Sequence, residues 1–351
     1  MKEKWKKIII ILLHIICAAV VLSGLMNAEK LRKKIPFFTV SVPGHVKDTT
    51  EKTDKLTPTP TATPTVAPTL KPTEGPTPTP EASITPTPTN TPAPTASPYE
   101  LRLQHQTEVA KKIAEGVYEE LSNEAHAWWF KRKLNHVPSG SGEGFDMDEY
   151  SAFYRNKNVD TEDKVIYITI DCGYGSSNTP VMLDIFKKHN VKVTFFVTKY
   201  FVDANPDYVK RMIDEGHMVG NHTANHPDLT TYSSREIFDE LVACEEAVYN
   251  ATEQLMDMYF RAPEGVYSKR VLQIIEDMGY KTMFWSIAYR DFDKNNQPTV
   301  DEIMEHFETY HHNGALVLMH NDSDGNRDAM DQVLTYLEEQ GYRFGTLDEF
   351  N

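Results

Sequence analysis

From residue 165 onward, apolar and polar positions fall into two alternating periods. Short apolar, β-branched runs stand at Val165–Ile170, Val193–Val197, Met218–Gly220, Tyr259–Arg261, Thr282–Trp285, Leu316–Met319 and Arg343–Thr346. Between them lie longer stretches with apolar residues at helical spacing, near Thr179–His189, Pro206–Glu215, Ser234–Thr252, Lys269–Met278, Val300–Tyr310 and Arg327–Glu339. Strands alternating with helices predict a parallel sheet with crossover helices. Seven such units predict an α/β fold, an irregular and incomplete (β/α)7 barrel, with an open doubly wound sheet as the competing arrangement. In such barrels chemistry collects at the C-terminal strand ends. Asp171, His222, Arg261, Asp291 and His320 each fall at or just after one of those ends.

Upstream the pattern changes twice. After a basic start, residues 1–7, an almost unbroken apolar stretch runs from Ile8 to Met26. At roughly 1.5 Å per residue it nearly crosses a bilayer core of about 30 Å. It reads as an uncleaved anchor, because bulky Met26 occupies the outer position of the best cleavage site, which would end at Ala28. Cys17 follows Ile15 and Ile16, where a lipid-attachment site wants small residues, so it is an apolar membrane cysteine. Positive charge flanks both ends, which leaves orientation open. Residues 27–56 form a juxtamembrane segment, and from 57 to 98 the chain is Thr, Pro and Ala with Thr-Pro-Thr-Pro repeats. Such a segment cannot bury enough surface to fold, and as polyproline II it spans on the order of 100 Å. It predicts a disordered stalk that stands an exported domain off the membrane. The expected location is therefore a single-pass membrane protein with its C-terminal part on the cell-wall side.

Beyond the stalk, Val109, Ile113, Val117 and Leu121 recur at helical spacing, predicting a helix over Glu100–Leu121 within a lead-in at 99–127. The main domain then occupies 128–351. From Ser97 onward the chain carries 24 Lys and Arg against 44 Asp and Glu. That balance argues against nucleic acid as a partner, and no protein partner is indicated. Two cysteines, Cys172 and Cys244, make no disulfide framework, although one bridge between them is open. The glycines of 138–144 lack a preceding strand and read as a loop, not a phosphate cradle. Glu245-Glu246 and Glu338-Glu339 diverge on their helices and read as solvated faces. No Gly-x-Ser-x-Gly elbow is present, which weakens a covalent serine mechanism.

His222 and His226 stand four residues apart, just after a strand and beside an acidic strand end. That spacing lets two imidazoles reach one metal ion, zinc being well suited. Asn221 and Thr223 are candidates for capping that turn. Asp171 is either a general base or metal ligand, or a turn-capping carboxylate. His320 is a catalytic proton donor or a buried histidine bonded to backbone. Arg261 orients a carboxylate or an oxyanion, or sits on the surface. Asn321 to Asn326 has its glycine too early for a calcium loop and reads as a turn and helix cap.

These residues resemble the five motifs of the polysaccharide deacetylases of carbohydrate esterase family four, over roughly 165–350. They are Thr169-Ile170-Asp171-Cys172-Gly173, His222-Thr223-Ala224-Asn225-His226, Arg261-Ala262-Pro263-Glu264-Gly265, Trp285-Ser286 through Asp291-Phe292, and Leu316-Val317-Leu318-Met319-His320. The stretches Trp129-Phe130-Lys131-Arg132, Ala152-Phe153-Tyr154, Gly216 to His222 and Phe284 to Tyr289 are similar to the branch that deacetylates N-acetylmuramic acid on the way to muramic δ-lactam. The resemblance implies a metal-dependent hydrolase of peptidoglycan glycan strands that releases acetate. N-acetylglucosamine, another acetylated polysaccharide, or wall binding by an impaired site are the alternatives.

By the same resemblance, His222 and His226 hold a divalent ion, zinc being expected, and Asp171 is the base. His320 protonates the leaving amine, while Arg261 and Asp291 orient base and acid. Gly173 and Tyr174 stand near the oxyanion, and Trp285 meets the sugar. Two positions depart from the family. Cys172 replaces the usual second aspartate, and is a thiolate ligand, a bystander, or a mark of reduced activity. Phe292 replaces a tryptophan of the fourth motif.

Overall fold

The strand at the centre of the molecule, Val165–Cys172, is buried along all eight residues, as a parallel strand covered on both faces must be. Its side chains alternate between two environments. Ile166, Ile168, Ile170 and Cys172 enter the large core beneath the helices, whereas Val165 and Tyr167 join Phe196, Met283, Leu316 and Phe350 on the inner side of the sheet. Burial of each large apolar side chain is worth roughly 1.5–3 kcal/mol, so the register of this strand is firmly set.

In the computed structural model, residues 97–142, 147–160, 162–173 and 177–350 are described. They belong to a unit spanning Pro88–Asn351. The 8–26 apolar segment and all but the last two residues of the 57–98 stalk lie outside the described residues. Among the described residues no helix is long and apolar enough to cross a membrane.

The main sheet has eight strands: β1 (Ala152–Phe153), β2 (Val165–Cys172), β3 (Thr194–Val197), β4 (Met218–Asn221), β5 (Tyr259–Phe260), β6 (Lys281–Met283), β7 (Ala315–His320) and β8 (Arg343–Phe344). Its order is β7-β2-β3-β4-β5-β6-β1, β8 pairing with the start of β2, and every pairing is parallel. The sheet curls until single bridges, Arg155 to Ala315 and Ile287 to Val317, join its two ends. This is the irregular barrel expected from the alternation, with one strand more. β1 was not predicted, since its two residues lie ahead of residue 165, where the strand and helix alternation begins.

The helices are α1 (Pro98–Ala114), α2 (Thr179–Lys188), α3 (Lys199–Ala204), α4 (Pro206–Asp214), α5 (Ser234–Thr252), α6 (Lys269–Asp277), α7 (Val300–Tyr310) and α8 (Asp324–Glu339). Ser97, Ser233 and Thr299 each close a capping box with the glutamate three residues on, a device that satisfies two orphan donors at a helix start. The predicted lead-in helix ends at Ala114, earlier than its periodicity suggested, because Gly116 turns the chain with φ 73°. The residues 117–120 continue as a 3-10 turn.

α1 is built into the domain. Val109 is fully buried in the core around Tyr118 and Ile274, and Arg102 lies 3.6 Å from the carboxylate of Glu245 on α5. Glu245 also accepts from Gln106 at 3.0 Å and from the Tyr280 hydroxyl. This corrects the expectation of a solvated face at Glu245-Glu246: Glu245 is 4% exposed, and burial pushes its carboxyl pKa up even beside Arg102. Cys172 and Cys244 are both free and buried.

Candidate active site

A cavity of about 600 Å³ opens at the C-terminal ends of the strands, lined by Asp171, Gly173, His222, His226, Glu264, Trp285 and His320 among others. Asp171 continues the inner column of β2 above Val165, Tyr167 and Thr169. Its Oδ1 accepts from Arg261 at 3.1 Å. Arg261 is fully buried and also donates to Thr169 Oγ1 (2.8 Å) and the Met283 carbonyl (2.7 Å), with its plane over the Phe196 ring at 4.4 Å. Burial lowers its pKa while the Asp171 carboxylate holds it up, and a guanidinium with that starting pKa stays charged. The carboxylate is thus fixed through one oxygen, and Oδ2 remains directed at the cavity.

His222 follows β4 directly. Gly220 is required there, since a Cβ would meet the Phe196 ring at 2.7 Å and the Tyr259 carbonyl at 2.8 Å. His222 Nδ1 donates to the Arg261 carbonyl at 2.9 Å, which leaves Nε2 as an acceptor, 3.6 Å from Asp171 Oδ2. Burial brings the His222 pKa down to about 4, against the pull of Asp171, and burial lowers His226 as well. Both imidazoles are therefore neutral near pH 7, the form that binds a cation.

Between them the turn uses a left-handed conformation at Thr223 (φ 68°) and His226 (φ 57°). It is held by complete pairing of its amides. Thr223 N–H donates to Asn221 Oδ1 and His226 N–H to Thr223 Oγ1, both at 2.9 Å. Glu240 on α5 accepts from the amides of Ala224 (2.9 Å) and Asn225 (2.8 Å) and from the Asn225 side chain (2.7 Å). The capping expected of Asn221 and Thr223 is present; Glu240 was missed, because a glutamate on a mixed helix face carries no signal of its inward direction.

Across the cavity His320 ends β7. Its Nδ1 donates to Asp291 Oδ1 at 2.9 Å, and its amide to Asp291 Oδ2 at 2.8 Å. Asn326, at the start of α8, donates to the same Oδ2 at 2.6 Å and is itself held by the Tyr289 hydroxyl at 2.7 Å. Burial works against charge on His320, but the carboxylates of Asp291 first, then Asp171 and Asp322, together outweigh it and carry the pKa up to about 9. Trp285 forms one wall. The glycine of the third motif makes room for it, since Gly265 has φ 68° and a Cβ there would meet the Trp285 ring at 2.7 Å.

A family model described as polysaccharide deacetylase matches residues 158–283. Over 233 residues, 66% of this chain and 88% of the relative, the sequence is 42% identical to the peptidoglycan-N-acetylmuramic acid deacetylase PdaA of Bacillus subtilis. The chain belongs to the polysaccharide deacetylases of carbohydrate esterase family 4. Like them it is a hydrolase acting on carbon–nitrogen bonds. The solved structure of Bacillus subtilis PdaA, a family 4 carbohydrate esterase, superposes with a TM-score of 0.62, covering 66% of this chain and 98% of that one. A peptidoglycan-N-acetylglucosamine deacetylase of Listeria monocytogenes is 38% identical over 186 residues, 53% of this chain and 38% of that protein.

Within this deacetylase, Asp171, Arg261, His222, His226, Asp291, His320, Gly173 and Trp285 all gather at one cavity or its immediate support. Tyr174 lies outside the described residues. Cys172 does not join them, so of the three alternatives for it the thiolate ligand is the one its position speaks against. Neighbouring residues of a strand point to opposite faces, so with Asp171 inward, Cys172 turns into the core, 0% exposed among apolar side chains. Burial, then the neighbouring Asp171, raises its thiol pKa well above the usual value, and a neutral buried thiol is a poor ligand.

Among the described residues no three or more His, Cys, Asp or Glu side chains group as a metal-binding set. The donors that come together in the cavity are two neutral imidazoles, His222 and His226, beside the Asp171 carboxylate, with Glu264, Asp322 and His320 elsewhere along its lining. His222 has its far nitrogen fixed by a backbone carbonyl, the arrangement that orients ligating histidines. That donor chemistry fits a divalent cation.

Proposed function

We propose that this protein removes the acetyl group from N-acetylmuramic acid in peptidoglycan, with a divalent ion, zinc by preference, held by His222 and His226. The observation that carries the reading is the pair of separately anchored groups facing one cavity, Asp171 held by Arg261 and His320 held by Asp291. Amide hydrolysis needs a base for water and an acid for the leaving amine, and Asp171 and His320 are each anchored in place for one of those roles. The muramic substrate is supported by the 42% identity to PdaA across 88% of that relative.

Asp171 Oδ2, free of the arginine, takes the proton as water attacks the acetamide carbonyl. The chemistry a divalent ion supplies there when bound is that of a Lewis acid toward that carbonyl and its attacking water. His320, protonated up to about pH 9, gives its proton to the departing nitrogen. The products are acetate and a free amine on the sugar, whose neighbouring lactyl carboxyl can then close on it as a δ-lactam with loss of water. Trp285 and Gly173 border the acetyl group's position. The apolar 8–26 segment and the 57–98 stalk support action from the membrane on the surrounding wall.

Mass spectrometry of glycan fragments, after incubation of peptidoglycan with the protein, tests this. Acetyl loss from muramic residues, abolished by a chelator and by His222→Ala, is expected. Acetyl loss confined to glucosamine would move the substrate, and undiminished release after chelation would sink the role of the ion.

A further inference from the structure

The catalytic cavity opens on one side into a second groove of about 500 Å³, and the two share Trp285, Phe292, Leu318 and His320. The groove is aromatic, with Trp129 and Phe292 about half exposed. Besides His320, the charged residues lining it among the described residues are Arg132 and Arg290, and none of the described carboxylates lines it. That is unexpected in a domain with 44 acidic against 24 basic side chains. Two guanidiniums together in this groove, beside the catalytic acid, create a local field suited to an anion.

Both arginines are placed with donor capacity left over. Arg132 donates once, to the Ala288 carbonyl at 2.7 Å, and its plane lies against Phe130 (5.3 Å) and Tyr310 (5.8 Å). Among the described residues no carboxylate pairs with it. Arg290 is 70% exposed, with one 3.5 Å contact to Asp293 and the Phe292 ring beneath it at 5.9 Å. Stacking holds each fork while its edge stays free for a planar carboxylate.

We propose that Arg132 and Arg290 bind the carboxylate of the lactyl arm, the group that distinguishes muramic acid from glucosamine, and so set the sugar choice of this site. This rests on the muramic reading above. The lactyl ether sits on the carbon next to the one bearing the acetamide, so its carboxylate must lie beside the catalytic cavity, where the two forks stand. A glucosamine hydroxyl, or a lactyl carboxyl capped as an amide, would leave the forks without an anion.

The test measures kcat/KM for acetate release by the full-length protein on two muramic oligomers, one with free lactyl carboxylates and one with the same carboxyls capped as methyl amides. The expected preference for the free acid is about 10–100-fold, the range of charge-assisted hydrogen bonds, and it shrinks with added salt. In the Arg132→Gln/Arg290→Gln double variant the ratio falls to near one, the loss appearing in KM. Arg290→Gln alone, at an exposed position, carries the same test in weaker form should the double variant fail to fold. Equal rates of the unaltered protein on both oligomers, or an equal loss on both in the variant with the ratio kept, would overturn the proposal while leaving the muramic reading intact. Release from N-acetylglucosamine oligomers with none from either muramic oligomer overturns both.

Discussion

Asp171 and His320 are register partners on adjacent parallel strands, β2 and β7. The base and the acid are therefore neighbours in one sheet, about 4.8 Å apart along its hydrogen-bonding direction, and each is turned to its task by a different clamp. Asp171→Asn and His320→Ala should each lower kcat by about 10²–10⁴-fold, the usual contribution of a general acid or base, and, since each breaks a buried ion pair, should lower the thermal unfolding midpoint as well. Acetate-release kinetics beside a melting curve would check this, and retention of most of the activity in either variant would remove that residue from the reaction.

The raised pKa of His320 has a defined sign. A histidine whose folded pKa lies near 9, above its ordinary 6.5, contributes stability fully below pH 6.5 and loses it as pH rises through 9. Its acid function follows the same limb, so kcat/KM should hold through neutrality and fall above about pH 9. Asp291→Asn removes the foremost of the charges that raise the pKa, and the alkaline limb should move to lower pH. A pH–rate profile with an unmoved limb would refute the pairing as its cause.

Arg261 is a cation with no solvent access, and its partner Asp171 is nearly as deep. Arg261→Met leaves that carboxylate buried and unpaired, at a cost of about 3–5 kcal/mol. Arg261→Lys keeps the charge but not the fork that reaches Thr169 and the Met283 carbonyl together, so it should recover only part of the loss. Urea unfolding of the three proteins gives the ordering directly.

Glu240 restrains the turn between the two imidazoles. In Glu240→Ala the amides of Ala224 and Asn225 lose their acceptor, and zinc affinity measured by calorimetry should drop about 10–100-fold, as for other groups that orient ligands. Unaltered affinity in a folded variant would reduce Glu240 to a helix residue like any other.

Cys172→Ala should leave zinc affinity where it is and cost only about 1 kcal/mol of packing, whereas His226→Ala should abolish binding. A large loss of affinity in Cys172→Ala would restore the thiol to the ligand set.

Much of this was legible in the chain. The seven predicted strands lie where short runs rich in apolar and β-branched residues alternate with helical stretches, and the chemistry sits at their ends because a parallel sheet gathers its C-terminal ends together. The face of Cys172 was legible too: strand parity sets it opposite Asp171, and the family motif obscured that simple rule. Other parts were not. α3 is too short to show a period, β1 lies ahead of the alternation, and Glu240, Glu245 and Asn326 act through tertiary partners distant in sequence. Arg132 and Arg290 acquire meaning only when the curl of the sheet sets residues 128–132 beside 285–292.

The contact of Arg102 with Glu245 also decides where the protein can be cut. Trimming back to Trp128, the edge of the family resemblance, would strip off α1 and leave a buried acid on α5 without its cation. The shortest version that keeps its architecture accordingly begins at the Ser97 cap. A cut ahead of Ser97 would then leave every contact of α1 in place, whereas one some twenty residues later would part Arg102 from Glu245.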